Sequence, residues 1–261
     1  MLKIVQEVRE IAHRLVEGKK YEKNFSAAFA LLKNFPFDFS TGQSIDQHQI
    51  ANYNLSLDNR GCLGKVAQAG AVVEKEFPNA KIMFGEVLED FFRNILLDML
   101  RGNPDQPDSF FEELLMYEEP HSVLVVDGKQ FEPLSIPFER NVSHPKIKAL
   151  PFWEAVTASR MISQAWLEKN PYCKIRILAE AEKICPGMIA TKENLSSYLL
   201  LVNEEQEAIR LAQETLAVRP TARSMYFLHL LTRDEKYIRM VEEKYSPRIA
   251  YLLGKEVIEN G

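Results

Sequence analysis

The sequence has few of the features that mark several large functional classes. Its 32 basic side chains are outnumbered by 37 acidic ones, for a formal net charge of −5, and the basic residues form no tail or block. Nucleic acid is therefore not an expected partner, because neutralising phosphates needs a clustered Lys/Arg face. No apolar run approaches the roughly 18 residues that a membrane-spanning helix needs, and residues 1–10 lack the apolar core of a signal peptide. We expect no membrane partner either.

Motifs for cofactors and metals are also missing. Cys62, Cys173 and Cys185 are an odd number of cysteines without the close spacing of metal ligands, and a reducing cytoplasm suits them better than a disulfide framework. His48 and His144 fall in predicted loops, with no metal-type residue at helical spacing. The sequence has no glycine-rich phosphate loop, dinucleotide fingerprint or zinc pattern. We therefore predict a cytoplasmic protein with no cofactor and no metal.

What is present is typical of a folded protein with two domains. Hydrophobic residues make up 46% of the 261 residues and charged residues 26%, which argues against global disorder. Apolar periodicity predicts a helix over residues 2–16, and residues 81–87 predict a strand. Asp127-Gly128 is a strong hairpin turn between strands at 122–126 and 130–132. We expect the strands to end near Pro133, so the fold class is α+β with a small antiparallel sheet.

The domain boundary is predicted between residues 140 and 151. Two prolines, Pro145 and Pro151, lie in this stretch, and after Pro151 only helices are predicted. The division is therefore an α+β domain over residues 1–150 and an all-α domain over residues 151–261.

The second domain contains an internal repeat. Residues 175–180 align with residues 209–214, and Pro186 aligns with Pro220, each 34 positions later. Between them we predict helices over residues 188–202 and 206–218. This period of paired helices resembles a tetratricopeptide repeat, and Leu195 and Ala208 fall at its apolar and small packing positions. The resemblance implies either a concave surface for a protein or peptide partner or a short array that only supports the first domain.

A second resemblance starts from Gly61-Cys62, which open a helix rich in small residues. A thiol in the first turn of a helix feels the positive end of its dipole, which favours the thiolate. A strand follows, then His121 at the start of the hairpin, then Glu132-Pro133. This order is similar to that of transglutaminase-like proteins, within the papain-like cysteine hydrolases. Bacterial proteins combine such a domain with tetratricopeptide repeats.

The transglutaminase resemblance implies a catalytic triad of Cys62, His121 and Glu132. Cys62 would attack an amide or peptide carbonyl, His121 would carry the proton, and Glu132 would orient the imidazole. The second hypothesis is a catalytically inactive scaffold of the same fold, since Glu132-Pro133 stands where the family usually has Asp-Pro. Taken alone, a cysteine is more often a packing residue and a histidine at a strand start a hydrogen-bonded surface residue. Asp127 is interpreted as a turn residue.

Overall fold

The computed structural model describes residues 2–18, 55–57, 62–88, 121–131, 144 and 146–244, without the side chains of Cys62, Ala222 and Arg223. Within these ranges the chain forms eight helices and one four-stranded antiparallel sheet, which confirms the α+β class. The helices are α1 (Leu2–Val16), α2 (Cys62–Glu76), α3 (Phe152–Leu167), α4 (Pro171–Ile184), α5 (Ile189–Leu200), α6 (Glu205–Val218), α7 (Ala222–Thr232) and α8 (Lys236–Lys244). The strands are β1 (Ile82–Val87), β2 (Ser122–Val126), β3 (Lys129–Phe131) and β4 (Ile147–Pro151).

The sheet has the strand order β3-β2-β1-β4. The predicted strand at 81–87 and the predicted hairpin are confirmed as β1 and as β2–β3. In the register of the sheet, Glu86 on β1 pairs with Ser122 on β2, and Met83 pairs with Pro151 on β4. A proline is tolerated in β4 because this strand lies at the edge of the sheet.

The expectation that strands end near Pro133 was wrong, because β4 follows at Ile147–Pro151. Among its five residues only Leu150 is buried. An edge strand with one buried side chain has no alternating apolar pattern, so the sequence carries no signal for it. β4 is identified only by its pairing with β1.

Helix α2 packs on β1 and β2 and contacts α1 and α3. Its residues Val66, Ala67 and Ala69 are fully buried. At Gly70 the missing side chain makes room for α3: a Cβ atom there would lie 2.1 Å from the ring of Phe152. The close approach of these two helices therefore requires glycine at position 70.

A shared carboxylate ties three helices of this layer together. Glu74 on α2 accepts hydrogen bonds from Arg9 Nε at 3.0 Å and from Trp153 Nε1 at 3.3 Å, and its Oε2 lies 2.8 Å from His13 Nε2. Arg9 and His13 are on α1, whereas Trp153 is on α3. The three donors satisfy the carboxylate from both neighbouring helices, which marks this cluster as structural.

The chain divides into two compact units, Met1–Val87 with Pro120–Thr191 and Leu88–Glu119 with Lys192–Gly261. The predicted boundary between residues 150 and 151 lies within β4, just before its last residue Pro151, and inside the first unit. Helix α3 contacts α1, α2 and β1 there, and α3 pairs with α4. Independent folding of residues 1–150 stays a prediction.

The second unit contains the end of α5 and the helices α6, α7 and α8. Helices α5 and α6 confirm the two helices predicted over residues 188–202 and 206–218. Ala208 is fully buried and its carbonyl accepts a hydrogen bond from Ser196 Oγ at 2.8 Å. A buried ion pair joins Glu193 on α5 to Arg219 after α6, with Arg219 Nε 3.1 Å from Glu193 Oε1. Thr221 and Ser224 form a capping box at the start of α7.

No helix in the described part of the chain is long and apolar enough to cross a membrane.

Candidate functional site

Cys62 is the first residue of α2, as the sequence predicted, and its side chain lies outside the described atoms. Side chains of α2 and α3 donate hydrogen bonds to the backbone of the segment that precedes this helix. Gln68 Nε2 donates to the carbonyl of Leu57 at 2.9 Å, and Arg160 Nε donates to the carbonyl of Leu55 at 2.7 Å. Leu57 is fully buried and has a φ of 55°, a left-handed conformation that is rare for a bulky residue. Two hydrogen bonds therefore stabilise a strained turn shortly before Cys62.

The carboxyl end of α2 lies at the end of the sheet where β1 begins. Its residue Glu74 contacts Trp153 on α3. Trp153 comes two residues after Pro151, and Pro151 pairs with Met83 at the start of β1. The turn from α2 into β1 is short, with the Ala80 amide donating to the carbonyl of Phe77 at 2.9 Å.

The amino end of α2 is consequently directed toward the opposite end of the sheet. From Glu74 back to Cys62 the helix extends about 18 Å, at about 1.5 Å per residue. From Met83 to Val87, β1 extends about 14 Å, at about 3.4 Å per residue. Because α2 packs on β1 and β2, the backbone of Cys62 is directed to the sheet end that carries Val87 and His121.

His121 directly precedes β2 and is 5% exposed. Its carbonyl accepts a hydrogen bond from the amide of Val87 at 3.0 Å, which extends the ladder between β1 and β2 by one residue. Since side chains alternate along a strand, the imidazole lies on the same face of the sheet as Val123 and Val125. Both valines belong to a buried cluster with Val87, against which Met83 and Ile147 pack.

A second buried histidine lies against His121. The ring centroids of His121 and His144 are 5.2 Å apart, and the ring planes make an angle of 65°. The backbone of His144 is fixed by the side-chain amide of Gln130 on β3. Gln130 Nε2 donates to the His144 carbonyl and Gln130 Oε1 accepts from the His144 amide, both at 2.9 Å.

Of the three predicted triad residues, the structure therefore describes the position of two. Cys62 begins a helix that packs on β1 and β2, and His121 directly precedes β2. Among the described residues, the buried cluster on the sheet face of His121 contains no residue of α2. Glu132 follows directly after β3 and lies outside the described residues. Asp127 has the predicted role in the hairpin turn: it is exposed, has a φ of 49°, and its carboxylate accepts the Lys81 amide at 2.8 Å.

At the same end of the sheet, a buried carboxylate accepts hydrogen bonds from backbone amides. Glu86 is fully buried and accepts hydrogen bonds from the amides of Ile189 and Ala190, at 2.9 Å and 2.7 Å. These amides belong to the first turn of α5, where a carboxylate is favourable because helical N–H groups lack partners and the dipole is positive. Glu86 therefore caps the amino end of α5. Its hydrogen bonds to two backbone amides are not those of a general base beside a nucleophile.

Cys185 does not resemble an activated thiol. Burial, and to a lesser degree the nearby Glu86 carboxylate, raises the pKa of the Cys185 thiol to about 12. Cys173 on α4 is partly exposed. In the described ranges, no three His, Cys, Asp or Glu side chains are grouped so that they could hold a metal ion.

Sequence reasoning missed His144 and Gln130. His144 was placed in a loop without a partner, and Gln130 was treated only as part of the return strand. Their hydrogen bonds join positions 14 residues apart, with no regular spacing that a sequence pattern could show. The only available signal was that His144 is one of five histidines in the chain.

Comparison with known proteins gives no match: no family model, no curated protein and no solved structure is similar to this chain.

Proposed function

We propose that the protein is a cysteine-dependent hydrolase or acyltransferase of transglutaminase-like type, which acts on an amide carbonyl of a protein or peptide in the cytoplasm. One observation supports the proposal: Cys62 is the first residue of α2, a buried helix that packs on β1 and β2, and His121 directly precedes β2. A nucleophilic thiol needs a base within reach and benefits from the positive end of a helix dipole.

The reaction has two steps, and in each of them His121 first takes a proton and then gives it up. In the first step His121 takes the proton from the Cys62 thiol as the sulfur bonds to the carbonyl carbon, and then gives this proton to the departing amine. In the second step water, or an amine in a transfer reaction, attacks the thioester, His121 takes its proton and returns it to the sulfur. Glu132 is proposed to orient the imidazole.

The test is the rate of Cys62 alkylation by iodoacetamide as a function of pH. Cys173→Ser removes the partly exposed thiol, while native Cys185 stays silent because burial raises its pKa to about 12. An activated thiolate gives a midpoint well below the about 8.5 of a free cysteine, and His121→Ala moves this midpoint up. His13→Ala is the matched control, because His13 contacts Glu74 near the other end of α2. A midpoint of about 8.5 that His121→Ala leaves unchanged contradicts the proposal.

The second candidate function is a catalytically inactive scaffold whose helical hairpins bind a protein or peptide. It is favoured by the burial of His121 against His144, because a catalytic imidazole has to reach its substrate. Directly after α5, Leu201 is 65% exposed and offers a contact for a partner. Selection from a displayed peptide library should then enrich sequences whose binding is lost in Leu201→Asp. Enrichment that Leu201→Asp leaves intact, or no enrichment at all, contradicts the scaffold.

A further inference from the structure

We propose that His144 is a positioning residue for His121 and that Gln130 holds His144 in place. The inference rests on the proposed function in one respect, the role of His121 as the base. No sequence motif or resemblance pointed to either His144 or Gln130. The inference concerns how the imidazole of His121 is held, and it adds two residues to those that the triad prediction named.

The contact between the two rings is close and enclosed. Their centroids are 5.2 Å apart at an angle of 65°, an edge-to-face arrangement of the kind that aromatic rings favour. His121 is 5% exposed and His144 is 4% exposed, so neither ring can turn freely into solvent. Because an imidazole has only two side-chain torsions, a fixed neighbouring ring restricts which nitrogen of His121 is presented outward from the strand.

Gln130 acts on the backbone of His144 rather than on its ring. Its amide nitrogen donates to the His144 carbonyl and its amide oxygen accepts from the His144 amide, both at 2.9 Å. This pairing imitates the two hydrogen bonds between residues of neighbouring strands. It also fixes the orientation of the Gln130 amide, since a flipped amide would place donor against donor and acceptor against acceptor.

The chain of contacts therefore runs from β3 to His144 and then to His121. Gln130 lies opposite Val125 in the register between β3 and β2, so by alternation its side chain is on the sheet face that carries His121. All three side chains share this face. A change in Gln130 should consequently alter His121 although the two residues are on different strands.

The experiment compares four variants of the full chain carrying Cys173→Ser. Gln130→Ala removes the backbone pairing, His144→Ala removes the ring, and His144→Phe keeps an aromatic ring of similar shape. Lys129→Ala is the matched control, because Lys129 is the exposed neighbour of Gln130 on β3. Two quantities are measured: the ring Cε1–H signal of His121 by NMR and the alkylation rate of Cys62. Thermal unfolding identifies any variant that has lost its fold.

We expect Gln130→Ala and His144→Ala to shift the His121 ring signal and to lower the Cys62 alkylation rate by about tenfold, since small misplacements of a catalytic group are costly. His144→Phe should keep the rate within about twofold of the parent, because the positioning is done by the ring's shape. Lys129→Ala should change neither quantity. If His121 gives the same ring signal in Gln130→Ala and His144→Ala as in the parent, the inference is wrong.

Failure of the proposed function gives a different result. In that case the parent protein already alkylates like a free thiol and His121→Ala has no effect, whereas the NMR signal of His121 still reports whether His144 and Gln130 position it. A folded His144→Phe variant that loses the rate as completely as His144→Ala would also overturn the inference, because shape alone would then not account for the effect.

Discussion

The two compact units are stabilised by polar contacts of different kinds. In the first unit, buried or half-buried side chains hydrogen-bond to the backbone of segments far away in sequence: Arg160 to Leu55 across 105 positions, and Glu86 to Ala190 across 104. Among the described residues of the second unit most side-chain hydrogen bonds are local, such as Thr232 Oγ1 to the carbonyl of Leu228 across four positions. The first unit therefore depends on its tertiary arrangement more than the second does.

This difference determines how each unit responds to mutation. A side chain that satisfies distant backbone groups leaves them buried without partners when it is removed, and each such group costs about 1–3 kcal/mol. A local contact on a helix surface contributes only about 0.2–0.5 kcal/mol. The ion pair of Glu193 and Arg219 is one exception among the described residues of the second unit, since it is buried and spans 26 positions.

The largest effect is expected where α2 meets α3, at Phe152. Its side chain is 4% exposed and lies over Gly70, so Phe152→Ala should lower the free energy of unfolding by about 4 kcal/mol. Gly70→Ala should cost about 1–3 kcal/mol through overpacking, and much less in the Phe152→Ala background because the ring that it would meet is gone. Urea unfolding measures all three variants.

Tyr172→Ala provides the matched control for Phe152→Ala, because Tyr172 is an aromatic residue near the start of the next helix and is 69% exposed. It should change stability by no more than about 0.5 kcal/mol. Hydrogen exchange adds a test of the predicted boundary at residues 150–151. If Phe152→Ala leaves the protection of the α2 amides unchanged, residues 1–150 fold independently of α3 and the expected coupling is wrong.

The next effect is expected at Glu86, the buried cap of α5. Glu86→Gln keeps the shape but removes the charge and places an amide N–H₂ group near the amides of Ile189 and Ala190. Two charge-assisted hydrogen bonds are weakened, so the free energy of unfolding should fall by about 3 kcal/mol. Glu76→Gln, on the exposed end of α2, is the control and should have almost no effect. If Glu86→Gln and Glu76→Gln lower the free energy of unfolding equally, the buried cap contributes no more to stability than an exposed carboxylate.

The contrast between local contacts and contacts of residues far apart in sequence also explains which parts of the fold the sequence could predict. The helices α1, α5 and α6 and the hairpin β2–β3 follow from local periodicity and from the Asp127-Gly128 turn, and each was predicted within a few residues. β4 was missed because its place in the sheet depends on pairing with β1, which has no local pattern. The assignment of α3 to the first unit was likewise not visible, because it depends on the packing of Phe152 over Gly70.

For the candidate site, the sequence predicted which elements carry Cys62 and His121 but not the surroundings of either. The order of helix, strand and hairpin follows from local signals. The contact of His121 with His144 depends on hydrogen bonds of Gln130 to a backbone 14 positions away, which a single sequence does not encode in any spacing. The resemblance to transglutaminase-like proteins predicted the three residues of a triad. It did not predict the residues that contact them.

The smallest effect is expected on the surface of the second unit, at Glu214. Lys192, and to a lesser degree Arg210, hold the pKa of Glu214 below its usual range, but its side chain is 41% exposed. Because water and salt screen such pairs, Glu214→Gln should cost at most about 0.5 kcal/mol in low salt and nothing measurable in about 1 M salt.

A carboxyl whose pKa is lowered on folding stabilises the fold above its unfolded pKa, and this stabilisation is lost as the pH falls through the folded pKa. Urea unfolding of the parent and of Glu214→Gln should therefore give a difference at pH 7 that begins to shrink near the unfolded pKa of about 4.3 and disappears below the lowered folded pKa. A difference that persists in strong acid or in high salt would mean that this surface pair behaves like the buried contacts of the first unit.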